Sequence, residues 1–263
     1  MTRSTTSSPQ TALITGASRG IGRELAKLFA RDGHHLVLVA RSKDELETLA
    51  ASLRATHNIT VDVIPTDLAD DASRQALHDA IADRSIDVLV NNAGFGSNGA
   101  FHTLDLKREL AQIEVNIVAL TDLTGHLLPG MVERGRGWVL NIASTAGFQA
   151  GPYMAVYYAT KAYVISFTEA IAYELKGTGV TATAHCPGAT ETAFATTAGN
   201  DKTKLFTANA VASAEAVAKH AYRTMWAGKT IAIHGAINTV GAVGARLVPR
   251  TVTAALAAQL NQP

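Results

Sequence analysis

Seven short, continuously apolar runs, separated by helical stretches, constrain this chain more tightly than any other feature. The runs lie at 12–14, 36–40, 61–64, 88–90, 138–142, 180–184 and 230–233. Each is bounded by polar or glycine-containing turns. An unbroken apolar run, unlike an alternating one, suits a strand buried on both faces of a parallel sheet. Between the runs, helical patterning covers 22–32, 43–56, 71–83, 105–134, 153–177 and 213–227. Parallel neighbours need crossover helices, and those crossovers are right-handed. The alternation therefore predicts an α/β, doubly wound (Rossmann-type) seven-stranded parallel sheet with helices on both faces. At 263 residues, the chain suits one large domain over 11–263. The Ser/Thr-rich residues 1–10 read as a disordered tail.

Ligands of such sheets bind at the carboxyl ends of the strands, and the informative polar residues fall there. After the first run comes Thr15-Gly16-Ala17-Ser18-Arg19-Gly20-Ile21-Gly22, leading into a helix. A strand that ends in a glycine turn and enters a helix offers free N–H groups and a favourable dipole to a pyrophosphate. Arg41 follows the second run, Asp67-Leu68 the third, Asn91-Asn92-Ala93-Gly94 the fourth, Ser144 the fifth and Pro187-Gly188 the sixth. Packing alone does not collect these residue types on one edge.

Tyr157 and Lys161 add chemistry. Four residues apart, they share one helical face. A phenol with a pKa near 10 exchanges protons poorly at neutral pH, and a neighbouring ammonium favours its phenolate. A depression of about 2–3 pKa units requires roughly 3–4 kcal/mol of differential stabilisation. Tyr158 has Ala162 four residues on, so only Tyr157 has a lysine partner.

With these motifs in this order and spacing, the chain resembles the short-chain dehydrogenase/reductase family in its single-domain form, over roughly residues 10 to 235. The resemblance implies an NADP(H)- or NAD(H)-dependent oxidoreductase acting on an alcohol or carbonyl carbon. It makes Tyr157 the catalytic acid/base and Ser144 the serine that holds the substrate oxygen. It makes Lys161 the lysine that binds the nicotinamide ribose and lowers the tyrosine pKa, and Asn116 the anchor of a water-linked proton relay. It further implies that Asp67 and Leu68 contact the adenine, that Asn92, Gly94, Pro187 and Gly188 line the cofactor, and that Thr192 sits near the carboxamide. Family enzymes of enoyl reduction space the tyrosine and lysine seven apart, which disfavours that reaction here.

Between the two cofactors, the residues point to NADP(H). A carboxylate at the end of the second strand would bind both ribose hydroxyls and repel a 2′-phosphate. Here that strand ends Val39-Ala40-Arg41, and Arg19 supplies a second guanidinium. A guanidinium fork matches phosphate oxygens. Asp44 and Glu45 lie nearby, at a helix start where acids are expected.

The substrate is read from the segments 95–101, 145–155 and 190–212, which supply Phe95, Phe148, Tyr153, Met154, Phe194 and Phe206 with few charges. An apolar or aromatic ketone, aldehyde or acyl chain fits such walls, and 190–212 is the expected lid. The two long helices, apolar on more than one face, need a cover, and the resemblance implies a homodimer or homotetramer through them. A formal net charge of +1 with no basic run argues against nucleic acid. No stretch of about 18 uninterrupted apolar residues argues for a membrane span. A single cysteine, Cys186, excludes an internal disulfide framework and fits a reducing compartment, expected to be cytoplasmic. The nine histidines show no metal-ligand spacing, so they read as surface or turn residues, and no catalytic metal is expected. Two other classes are a non-catalytic NADP(H)-sensing binding protein on the same fold, and an isomerase or epimerase. The first usually loses the tyrosine or lysine; relatives of the second generally carry an added C-terminal domain.

Overall fold

A computed structural model describes residues 9–201, 203, 211–245 and 247–262. The seven apolar runs become β1 (Thr11–Thr15), β2 (His35–Ala40), β3 (Val61–Pro65), β4 (Val88–Asn91), β5 (Gly137–Ile142), β6 (Val180–Cys186) and, after two short strands, β9 (Ile231–Ile233). They form one sheet in the order β3-β2-β1-β4-β5-β6-β9, every pair parallel. The order reverses between β1 and β4, which opens a crevice at their carboxyl ends.

Helices cover both faces. One face carries α1 (Gly20–Arg31), α2 (Lys43–Thr56) and α8 (Ala214–Trp226). Their buried Leu25, Phe29, Leu46 and Met225 pack on Ile14, Leu38, Val90 and Leu140 of the sheet. The other face carries α3 (Asp71–Ile81), α5 (Ala119–Glu133) and α6 (Ala155–Glu174), which pack on Leu13, Val37, Leu89 and Val139. Alternate strand residues thus serve two cores, the reason the strands read as unbroken apolar runs.

Four departures from the sequence reading have local causes. The helix expected over 105–134 is α4 (Leu106–Ile113), a π-helical turn (Glu114–Val118) and α5. A π turn inserts one residue into the ladder, and it falls on Asn116. Stretch Leu106–Glu133 has the length and mean hydropathy (1.2) to cross a membrane, yet buried Leu120, Leu123 and Met131 place one side of it in the core. Gln10, assigned to the tail, is buried, and its carbonyl accepts from His35 N (2.8 Å), extending the β1–β2 ladder; residues 1–8 lie outside the described residues. His34, His78 and His185 are buried rather than superficial, because each faces a packed aromatic or imidazole: Trp226, His126 and His220 respectively. Beyond β6 the chain adds β7 (Thr190–Glu191), α7 (Phe194–Ala198) and β8 (Ala212–Ser213), with β7 and β8 pairing in parallel. Past β9 come α9 (Ala236–Gly244) and α10 (Arg250–Asn261).

Candidate active site

A cavity of about 550 Å³ lies along the carboxyl ends of the strands. Sixteen of the singled-out residues border it: Gly16, Ser18, Arg19, Gly20, Ile21, Arg41, Asp67, Leu68, Asn92, Gly94, Ser144, Tyr157, Lys161, Pro187, Gly188 and Thr192. Gly22 and Asn116 do not.

At one end the β1–α1 turn bends through Gly16 (φ 62°) and Gly20 (φ 54°), a conformation side-chain-bearing residues resist. Asn92 clamps this turn: its Nδ2 donates to Thr15 O (2.9 Å) and Gly16 O (3.1 Å). The N–H groups of Asn92 and Ala93 donate to Thr15 Oγ1 (2.9 and 3.0 Å), which in turn donates to Val90 O. Gly22 lies beneath the turn, where a Cβ would stand 2.4 Å from Gly16 O and 2.5 Å from Asn92 Nδ2. Its place is therefore packing and not direct contact with a ligand. The turn's backbone, open to the cavity at a helix start, has the form an anionic ligand requires.

The two arginines part company. Arg19, expected free, is paired with Glu45, whose carboxylate oxygens receive its Nε at 2.9 and 2.8 Å. The acid read as a helix-start residue is spent on the guanidinium, because α2 begins beside the β1–α1 turn. The pairing raises the Arg19 pKa and lowers that of Glu45. Arg41 has no ion-pair partner among the described residues and borders the cavity directly. Asp67 accepts from Ala69 N (3.0 Å), fixing the turn after β3.

At the other end sit the three reactive side chains. Ser144 follows β5; its Oγ accepts from Ala146 N (3.1 Å) and donates to Pro187 O (3.4 Å). Tyr157 and Lys161 project from the first turns of α6, with the Lys161 amine 5.7 Å from the Tyr157 ring centroid. Lys161 Nζ donates to Ile142 O (2.8 Å). Burial dominates both ionisations. It lowers the Lys161 pKa to about 8 and raises that of the Tyr157 phenol; a hydrogen bond with Ser144 opposes the rise and Tyr158 adds to it. The expected depression of the phenol is thus reversed. The amine is turned to a main-chain carbonyl, and low-dielectric surroundings disfavour both charged forms.

Asn116 stands behind this end. Its Oδ1 accepts from Phe95 N (3.2 Å), and its Nδ2 donates to Phe95 O and Thr160 Oγ1 (both 3.0 Å). A Cβ on Gly94 would approach Asn116 Oδ1 at 3.0 Å and Lys161 Nζ at 3.5 Å. The π turn therefore lets one amide hold the Gly94-Phe95 loop to α6.

Among the expected pocket residues, Phe95, Met154 and Phe194 line the cavity, whereas Phe148 and Tyr153 do not. Phe148 packs against Val164 and Ile165. Phe206, with 202 and 204–210, lies outside the described residues, so the expected lid is described only at its ends. There Arg108 donates to Gly96 O (3.2 Å) and Thr197 O (2.6 Å), tying α7 to the loop after β4. Sequence reading missed two residues on the cavity wall. Asn200 is fully buried on the cavity wall; its Nδ2 reaches Met154 Sδ (3.4 Å), and its Oδ1 has no partner among the described residues. Tyr158, set aside as a decoy, borders the cavity, and Asn261 Nδ2 donates to its hydroxyl (3.0 Å). A contact across 103 residues leaves no local sequence signal.

Fold and site define a class. The chain belongs to the short chain dehydrogenase family, whose pattern it matches over residues 10–203. It is 39% identical over 186 residues to ketoacyl reductase HetN of Nostoc sp.; the alignment covers 70% of this chain and 64% of HetN, under two thirds of that relative. Among solved structures it is similar to a short-chain dehydrogenase from Sphingobium yanoikuyae in complex with NADPH (35% identity, TM-score 0.82, 90% of this chain and 94% of that one). A bulky-bulky ketone specific alcohol dehydrogenase from Comamonas testosteroni is also similar (32% identity, TM-score 0.78, 90% and 92% covered).

Proposed function

We propose that this protein is an NADP(H)-dependent carbonyl reductase that acts on an apolar or aromatic ketone, aldehyde or acyl-chain substrate. The observation that carries the reading is the convergence of Ser144, Tyr157 and Lys161 on one end of a cavity whose other end holds Arg41, without an ion-pair partner among the described residues. The residues present fit the cofactor. The Gly16–Ile21 backbone would hold its pyrophosphate, Arg41 its 2′-phosphate, Asp67 and Leu68 its adenine, Lys161 its ribose and Thr192 its carboxamide. Once bound, NADPH supplies the hydride that reduces the carbonyl carbon.

The protein's own residues handle the charge that builds on oxygen. Ser144 and Tyr157 would donate hydrogen bonds to it, and Tyr157 would deliver the proton. A phenol raised above its ordinary pKa holds that proton firmly until an alkoxide, a far stronger base than phenolate, takes it. Lys161, with a pKa of about 8, is still largely charged at neutral pH and would stabilise the phenolate left behind. Phe95, Met154 and Phe194 supply an apolar wall, and the relatives named for ketoacyl and bulky-ketone chemistry agree with it. Asn200 Oδ1, without a partner among the described residues, would receive a donor on the substrate. A cofactor sensor without turnover has no use for a tyrosine, serine and lysine gathered at one point. Exposed Leu106, Leu110 and Tyr173 on the long helices support a homo-oligomer through that face, and the lone free thiol supports a cytoplasmic setting.

The test is a panel of ketones, aldehydes and acyl thioesters followed by NADPH and NADH absorbance. Turnover of apolar carbonyls with NADPH favoured is expected. Failure of every member, or an equal rate with NADH, would refute the reading.

A further inference from the structure

The last acidic residue in the chain is Glu215. The 48 residues after it hold five Lys/Arg and no Asp or Glu, whereas the preceding 215 hold 18 Lys/Arg against 22 Asp/Glu. The same terminal stretch carries most of the protein's exposed large apolar side chains. On α9, Ile237 (82% exposed), Val240 (73%) and Val243 (54%) project outward, while Ala242 is buried on the opposite side. On α10, Thr253, Ala257 and Asn261 are buried at a spacing of four, and Val252, Leu256 (55% exposed) and Leu260 form the next stripe outward. Leu247 and Val248 lie between the helices and are exposed as well. Isolated exposed apolar residues need no explanation, but a cluster of eight within 24 residues does.

We propose that α9 and α10 form a membrane-docking surface that seats the enzyme on an anionic bilayer without crossing it. The charge pattern selects this occupant. Apolar side chains flanked by cations, with acids excluded, suit the boundary between anionic headgroups and acyl chains. In a symmetric interface the same stretch of a second copy would offer Arg250 no acid to pair with, so self-association is disfavoured on the same ground. Position agrees. Asn238 of α9 stands against Gly188 on the cavity wall, where a Cβ would meet its Nδ2 at 2.5 Å. Asn261 of α10 is bonded to Tyr158 on the same wall and receives Asn98 Nδ2 at its carbonyl (2.7 Å). Both helices therefore brace the cavity, and an apolar substrate dissolved in lipid would be released next to it. The docking surface does not depend on the catalytic reading, because it can be measured without turnover.

The experiment is flotation of the full chain with vesicles of pure phosphatidylcholine or of phosphatidylcholine mixed with phosphatidylglycerol. It is run on the wild type and on the double variant Val240→Glu/Leu256→Glu, whose sites are exposed and outside the catalytic machinery. The wild type should float with the anionic vesicles, and high salt should weaken its binding. The double variant should bind at least tenfold less while keeping its thermal melt. Absence of flotation with either vesicle would overturn the proposal, as would equal flotation of the variant. A wild-type oligomer in solution that dissociates on the double substitution would also overturn it, showing that a second copy covers the surface. If the variant fails to fold, Ile237→Ser/Leu247→Ser, likewise exposed, replaces it with the same criterion.

Discussion

Lys161 gives the sharpest link between geometry and rate. Its amine is buried, donates one hydrogen bond to Ile142 O, and has its pKa lowered from an ordinary 10.5 to about 8. That difference corresponds to roughly 3 kcal/mol against the charged form. The ammonium dominates below about pH 8 and the neutral amine above it, while the buried phenol of Tyr157 stays protonated throughout. If the ammonium holds the cofactor ribose and steadies the phenolate, kcat/KM for NADPH at saturating carbonyl substrate should be flat up to about pH 8. Above that it should fall tenfold per pH unit, since this parameter reports the free enzyme. Stability should move the other way. A lowered amine pKa penalises the folded state below about pH 8, and the penalty fades as pH rises toward 10.5. Initial rates and thermal melts over the same buffers therefore separate titration from unfolding. A profile flat to about pH 10, near the unperturbed amine, would refute the reasoning, as would a rate loss that tracks a falling melting temperature.

Four more outcomes follow from the surroundings of single residues. Arg41→Asp should move preference from NADPH toward NADH by roughly 10- to 100-fold, the equivalent of one charge-assisted phosphate contact of about 1.5–3 kcal/mol; unchanged preference in initial rates would make Arg41 a bystander. Gly22→Ala should cost about 1–3 kcal/mol in denaturant unfolding and weaken cofactor binding, because its Cβ meets backbone and amide at 2.4–2.5 Å. Gly125→Ala, with nothing within 4 Å of its Cβ, should be neutral or stabilising by up to about 1 kcal/mol. Burial, then His220 and His234, lower the His185 pKa to about 3, so stability should be full above about pH 6.5 and decline as pH falls toward 3. The decline should reach about 5 kcal/mol at most and be blunted in His185→Leu, measured by chemical denaturation at each pH.

The sheet was legible because strands buried on both faces must be apolar throughout, as in Leu36–Val39 and Val88–Val90. The cavity's residues were legible because a parallel sheet delivers every strand end to one edge. Contacts between distant segments left no such trace. The ion pair of Arg19 with Glu45, the bond from Asn261 to Tyr158 and the contact of buried His185 with half-buried His220 depend on which helix lies over which strand. The π turn at Asn116 was hidden for another reason. In a stretch apolar on several sides, one inserted residue leaves hydrophobic periodicity almost unchanged. The direction of the Tyr157 shift was missed because spacing reports a neighbour's charge and says nothing of burial, which outweighs it here.

Tyr157→Phe tests the central claim most directly. Removing one hydroxyl from a half-buried ring leaves the cavity's shape and the glycine turn in place. NADPH affinity, read by cofactor fluorescence, should stay within a few-fold of the wild type, while turnover of any carbonyl substrate should drop at least a thousandfold, in keeping with the loss of a general acid. Turnover close to wild type in a variant that still binds NADPH would contradict the account.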